Sequence, residues 1–207
     1  PKAPGTEGIA PRMTDSTQRG GIRTFLFTDI QGSTRLEQQL GTERYAAIRE
    51  RHRSIMRSSW ARFGDGASEQ GTEGDSFFVA FDKATECLAA AVAAQRSLRD
   101  ESWPDGIEVK VRMGIETGEH EVVAASEGFV GLGINRAARI AAIAHGGQIL
   151  TTELTSQLLD GALPPDVHLR DLGAYRLKDL LAPVRVIQVV ADDLPSDFPP
   201  LRSPDAR

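Results

Sequence analysis

The sequence predicts one globular domain that mixes strands and helices, and three observations carry that prediction. The 207 residues, 40% hydrophobic and 26% charged, suffice for a single sizeable core. Runs with period-two alternation, such as Ile107, Val109, Val111, Met113 and Ile115 with Lys110 and Arg112 between them, read as half-buried strands. Between such runs lie segments with apolar residues at helical spacing, such as Tyr45, Ile48, His52, Ile55, Met56 and Trp60.

Taken in order, residues 1–20 mix Pro, Gly, Thr, Ser and charge without apolar periodicity and are expected to form a flexible tail ahead of a domain at 21–191. Thr24-Phe25-Leu26-Phe27-Thr28 suits a half-buried strand and delivers Asp29 to its end. Gly32-Ser33-Thr34 can then turn the chain and cap a helix beginning near Arg35. Unpaired N–H groups at that helix start suit phosphate, and the adjoining Asp29 suits a hard divalent cation; an N-cap aspartate without a ligand has the same local signature. Gly41 stops the short helix, and Thr42 caps a longer one to about Phe63. His52 lies on its apolar stripe and reads as a packed residue rather than a ligand.

Residues 67–72 and 77–81 read as strands joined around Glu73-Gly74-Asp75-Ser76, with Asp75 at the tip. Turn chemistry alone accounts for a Gly-Asp pair, so Asp75 gains meaning only as a second carboxylate at a strand end. Ala84 to Leu98 is an Ala-rich core helix. The strand over 107–115 is expected to break at Thr117-Gly118-Glu119 and return as a hairpin through 121–123. Gly128 to Asn135 leads into a helix over 136–144; its glycines do not make a dinucleotide fingerprint, because the third Gly and the βαβ context are missing. Asn135 and Arg139 share one helical face, a spacing equally compatible with a cap and a surface arginine. A strand at 148–150, a helix from Thr152 to about Leu159, a hairpin region of 164–172 with 175–180 and a strand at 184–190 follow. Lys178 is expected on the polar face of that hairpin, and 192–207 as a second flexible tail.

Charge and cysteine content narrow the function. Acidic residues outnumber basic ones by 29 to 24, giving a net charge of -5 and no general attraction for a nucleic-acid backbone, so no nucleic-acid partner is expected. Cys87 is the lone cysteine, which leaves neither a disulfide frame nor a thiolate metal cage and is compatible with a reducing cytoplasm. No apolar run is long enough to span a bilayer and no leader pattern opens the chain, so a cytoplasmic location without a membrane partner is expected. Pro1 is no translation start, which points to a fragment or a processed chain.

As a set, Phe27-Thr28-Asp29-Ile30-Gln31-Gly32-Ser33-Thr34, Gly74-Asp75-Ser76-Phe77-Phe78, Arg112 to Gly118, Asn135-Arg136-Ala137-Ala138-Arg139 and Leu177-Lys178-Asp179-Leu180 resemble the class III nucleotidyl cyclase catalytic domain of bacterial type. The resemblance covers about Ile22 to Val190. It implies a ferredoxin-like α+β domain, an antiparallel-rich sheet with helices packed on it, that forms a head-to-tail homodimer with active sites built from both chains. It further implies conversion of ATP, with GTP as the second candidate, to a 3′,5′-cyclic nucleotide and pyrophosphate in intracellular signalling. Two Mg2+ or Mn2+ ions per site would lower the pKa of the attacking hydroxyl and hold phosphate oxygens. Asp29 and Asp75, helped by the Ile30 carbonyl, match the metal ligands; Arg139 matches the transition-state arginine, Asn135 the ribose-positioning residue and Lys178 a lysine on the terminal phosphates. Gly32, Ser33 and Thr34 are the substrate-facing helix start, and regulatory domains would lie outside this chain.

Two departures stand out. Ungapped alignment puts Gly71 and Gly128 where the family carries its base-reading lysine and its base-selecting aspartate or threonine. Each unpaired polar group on a buried base costs about 1–3 kcal/mol, which weakens purine discrimination unless Gln70, Thr72, Glu73 or Glu127 compensates. The alternative reading is a catalytically silent homology domain serving as a dimerisation or nucleotide-sensing module.

Overall fold

The computed structural model describes residues 17–18, 20–123 and 128–202. Its central strand is β2 (Ile22–Ile30), whose alternation sends Phe25 to one face and Leu26 and Ile30 to the other. Thr17–Gln18 form β1; α1 (Ser33–Leu40) and α2 (Thr42–Ala61) follow β2, then the hairpin of β3 (Ala67–Glu73) and β4 (Ser76–Phe81). The chain continues through α3 (Ala84–Asp100), β5 (Val111–Glu119), β6 (Glu121–Val123), β7 (Gly128–Val130), α4 (Leu132–Ile143), β8 (Ile149–Thr152), α5 (Glu153–Leu158), β9 (Val167–Tyr175) and β10 (Val184–Ala191).

Seven strands make one sheet in the order β3-β4-β2-β5-β8-β10-β9, with β5–β8 its one parallel pairing; β1, β6 and β7 form a separate small sheet. Leu26, Ile30, Phe77, Val79, Met113 and Ile115 meet the apolar stripes of α2 and α3 on one face. On the other face Phe25 and Ala80 meet Ile134 and Ala137 of α4. The result is the expected α+β sheet with helices packed on it. Among the described residues no helix is long and apolar enough to cross a membrane.

Tertiary pairing revises several boundaries. β5 does not break at Thr117-Gly118-Glu119: those residues pair with Thr24, Arg23 and Ile22, and the Thr24 and Thr117 hydroxyls hydrogen-bond at 2.9 Å. It begins at Val111 because β2 ends at Ile30, opposite Val111, leaving 107–110 without a ladder partner there. β6 is not a partner of β5 but joins β1 and β7. No strand covers 176–183; the last hairpin is instead β9 with β10, so Lys178 lies in a turn rather than on a strand face.

The segment expected as a C-terminal tail is tied down through residue 202. Leu201 is buried beside Ile140 and Ile143, Arg202 N–H donates to the Ile143 carbonyl at 3.2 Å, and Gln188 Nε2 donates to the Ser196 carbonyl at 2.7 Å. At the other end, β1 lies within the expected N-terminal tail; residues 1–16 and 19 of that tail, and 203–207, fall outside the described set.

Two packing features yield measurable expectations. α4 lies against β5 at Gly114, where an added Cβ would sit 2.5 Å from both the Ala137 carbonyl oxygen and the Ala141 nitrogen. Gly114→Ala is expected to lower stability by about 1–3 kcal/mol, because the obstruction is backbone and α4 must shift. Denaturant unfolding checks this; an unchanged midpoint would show that α4 docks loosely. His52 is completely buried under β4, its ring 5.7 Å from that of Phe77, and burial lowers its pKa from 6.5 to about 4 despite the nearby Asp75 carboxylate. Between those two values the unfolded chain binds a proton that the folded chain refuses. This contribution to stability is therefore complete above pH 6.5 and lost as pH falls toward 4, by about 3 kcal/mol in all. Unfolding free energies measured across this window should fall more steeply for the wild type than for His52→Leu.

Candidate active site

The site begins where β2 runs out. β2 and β4 pair from Thr24↔Phe81 to Thr28↔Phe77, so the β3–β4 turn reaches the same end of the sheet as Asp29. Asp75 is drawn in there: its Oδ2 accepts from the Ile30 main-chain N–H at 2.9 Å, joining the turn to the residue after Asp29. Arg53 of α2 holds the turn from below by donating to the Gly74 carbonyl at 2.7 Å. Asp75 also lies close enough to Tyr45 and His52 to influence both electrostatically. The two carboxylates and the Ile30 carbonyl are oxygen donors of the kind that hard divalent cations take. No cluster of three or more His, Cys, Asp and Glu forms among the described residues.

Asp29 has a partner that sequence spacing could not show. Arg112 lies directly across the β2–β5 ladder, and its Nη2 donates to Asp29 Oδ2 while its Nη1 donates to the Ala142 carbonyl at 3.4 Å. Period two puts Arg112 on a polar face, but only the strand register says which residue it faces.

The chain after Asp29 turns as expected, with a different cap. Gly32 is the N-cap in a left-handed conformation with φ of 74°, α1 begins at Ser33, and no side chain caps it. Ser33 and Thr34 are thus the first helical residues, and the start of α1 offers main-chain N–H groups rather than capping hydroxyls.

Asn135 and Arg139 sit elsewhere. α4 starts at Leu132, four residues earlier than the sequence suggests, because Gly118 and Gly133 allow the helix start to meet β5 with a Gly118 Cβ position only 3.2 Å from the Gly133 Cα. Ala137 packs on the sheet, and residues two before and two after it are rotated about 200° around the helix. Asn135 and Arg139 therefore face away from their own sheet. Arg139 Nη2 donates to Asp179 Oδ2 at 2.6 Å, which brings the 177–180 turn and Lys178 to the same surface. One copy of the chain thus brings Asp29 to Asp75 and Arg139 to the Lys178 turn, but does not point the second group at the first.

The degenerate base positions are open. Gly71 follows an irregularity in β3 and pairs with Phe78, and a Cβ there would meet nothing within 4 Å. The space for a longer side chain exists, and the sequence leaves it unfilled. Gln70 turns back to Ser68 at 2.8 Å and Thr72 bonds Glu69, so neither reaches toward that space. Gly128 begins β7 opposite Val123, and Glu127 lies outside the described residues.

The sheet thus gathers Asp29, near the end of β2, and Asp75, in the β3–β4 turn, at one end, while Arg139 and the Lys178 turn lie on the outer face of α4. The sequence model for the adenylate and guanylate cyclase catalytic domain matches residues 16–188, and the chain belongs to that family. An uncharacterized protein of Mycobacterium tuberculosis is 34% identical over 183 residues, covering 88% of this chain and 61% of that protein, so the chain spans about three fifths of that relative's length. An adenylate cyclase of Lachancea kluyveri is 32% identical over 161 residues, covering 66% of this chain and 9% of that protein. Among solved structures, the adenylyl cyclase CyaB from P. aeruginosa superimposes with a TM-score of 0.74 at 25% identity over 84% of this chain and 96% of that one. Adenylate cyclases from Trypanosoma brucei, solved in their monomeric state, include one with a TM-score of 0.80 at 23% identity over 87% of this chain and 92% of that one, a likeness of fold.

Proposed function

We propose that the chain is the catalytic domain of a nucleotidyl cyclase that converts a purine nucleoside triphosphate, ATP before GTP, to its 3′,5′-cyclic monophosphate and pyrophosphate. The observation that carries this is the division of phosphate-handling groups between two surfaces. Asp29, Asp75 and the start of α1 lie at one end of β2, whereas Asn135, Arg139 and Lys178 belong to a surface turned away from that sheet. Two copies placed head to tail would join one surface of each, giving two shared sites in a homodimer.

In the reaction the 3′-hydroxyl gives its proton to solvent water, and its oxygen bonds to the α-phosphorus as the bond from that phosphorus to the α–β bridging oxygen breaks and pyrophosphate leaves. Asn135 orients the ribose for in-line attack, and the Arg139 fork bears on the charge that grows on the phosphoryl oxygens. Lys178 and the N–H groups of Gly32, Ser33 and Thr34 hold the outer phosphates. Asp29, Asp75 and the Ile30 carbonyl would hold Mg2+ or Mn2+, two per site, whose chemistry is to acidify the hydroxyl and neutralise phosphate oxygens. Glycine at 71 and 128 removes polar base contacts without removing a phosphate contact, so base choice weakens before turnover does. The adenylate cyclase relatives support ATP as the first substrate, and the greater length of the mycobacterial relative supports further domains outside this chain.

The test is product formation from ATP and from GTP with Mg2+ or Mn2+, resolved by mass spectrometry across protein concentrations beside Asp75→Ala. Cyclic product that disappears in the variant establishes the activity, and the ratio of the two products measures base choice. The empty Gly71 position favours one second reading, a silent dimerisation or nucleotide-sensing module; absence of product where the chain is demonstrably dimeric would establish it instead.

A further inference from the structure

The turn that carries Lys178 is closed by the Leu180 N–H donating to the Leu177 carbonyl at 3.2 Å, and its third residue, Asp179, has a φ of 64°. A left-handed third position is where such turns take glycine or asparagine; aspartate occupies it at some cost. The turn is also clamped in place, since Leu177 and Leu180 pack with Ile140 and Ile143 of α4. Backbone and packing together aim the Asp179 carboxylate at Arg139, which donates to it at 2.6 Å.

We propose that Asp179 is an internal anion that occupies the Arg139 guanidinium in the place of a phosphate, and thereby sets the affinity of this surface for polyphosphate. The inference rests on the reading of Arg139 as a phosphate-facing group. A carboxylate offers a guanidinium the same paired oxygen acceptors as a phosphate, so the two ligands exclude each other. A polyphosphate prevails because it reaches both Arg139 and Lys178, whereas Asp179 bonds Arg139 alone among the two. The pair is also exchangeable rather than a permanent lock: Arg139 is 40% and Asp179 62% exposed, the regime of weak surface ion pairs.

Titration calorimetry with inorganic tripolyphosphate, at low salt and without divalent metal, isolates this surface from Asp29 and Asp75. Asp179→Asn removes the charge while tolerating the left-handed backbone, and Asp179→Gly removes the charge and relieves the backbone. Both are expected to bind tripolyphosphate about three- to fivefold tighter than wild type, and the gain should vanish when Arg139→Ala is added and shrink at high salt. If Arg139→Ala weakens binding but Asp179→Asn leaves it unchanged or weaker, the inference fails while the phosphate role of Arg139 stands. A gain in Asp179→Gly alone would assign the effect to backbone strain and overturn it as well. If Arg139→Ala binds like wild type, or no variant binds saturably, the reading of Arg139 falls and the inference with it.

Discussion

Arg139→Ala lowers kcat by about 100- to 1,000-fold, the loss expected when one preorganised donor to developing transition-state charge is removed. Stability should barely move, because Arg139 faces away from the sheet and its ion pair is with the exposed Asp179. Self-association should stay close to wild type and nucleotide affinity should weaken only several-fold, so most of the loss falls on kcat. Arg139→Lys should recover little, since an ammonium cannot present the planar fork that spans two phosphoryl oxygens. Steady-state kinetics beside sedimentation of the same samples checks all of this. An equal loss in KM with kcat preserved would make Arg139 a ground-state contact and remove it from the chemistry.

Activity returns when an inactive Asp75→Ala chain is mixed with an inactive Arg139→Ala chain. In a heterodimer of the two, one site combines both lesions and the other combines an intact Asp75 with an intact Arg139. Random pairing of equal amounts makes half the dimers mixed, each with one of its two sites intact, so about a quarter of wild-type activity is expected. The return should depend on total protein concentration, as the pairing equilibrium does. Heterodimers demonstrated by differential tagging yet without turnover would exclude a site shared between chains. The structural basis of this prediction is the geometry of α4: Ala137 packs on Gly114, which turns Asn135 and Arg139 outward.

Much of the fold was legible because local signals and tertiary demands agreed. The apolar stripe of α2, the Ala-rich α3 and the β3–β4 hairpin around Asp75 all formed where periodicity and turn residues placed them. Errors gathered where glycine has two meanings. Gly118 and Gly133 read locally as breakers, yet they let α4 and β5 approach closely and lie inside a strand and a helix. Likewise the residues from 192 carry the Pro and Asp content of a tail, but Leu201 finds a hydrophobic cluster that composition does not reveal.

The residues of the candidate site were named from sequence, because each belongs to a short motif in a fixed order. By itself the sequence determined which chemical groups are present: two carboxylates at strand ends, an Asn and an Arg one helical turn apart, and glycine at positions 71 and 128. It also determined the helical and extended periods, which depend on neighbours a few residues away. Only the tertiary structure decided that Arg112 faces Asp29 and that Asp179 faces Arg139, contacts that join residues 83 and 40 positions apart. It alone decided that Asp29 and Asp75 share one end of the sheet while Arg139 turns away from it. Such pairings depend on strand register and helix rotation, which are set by the burial of the whole core and leave no mark in the spacing of the residues they join.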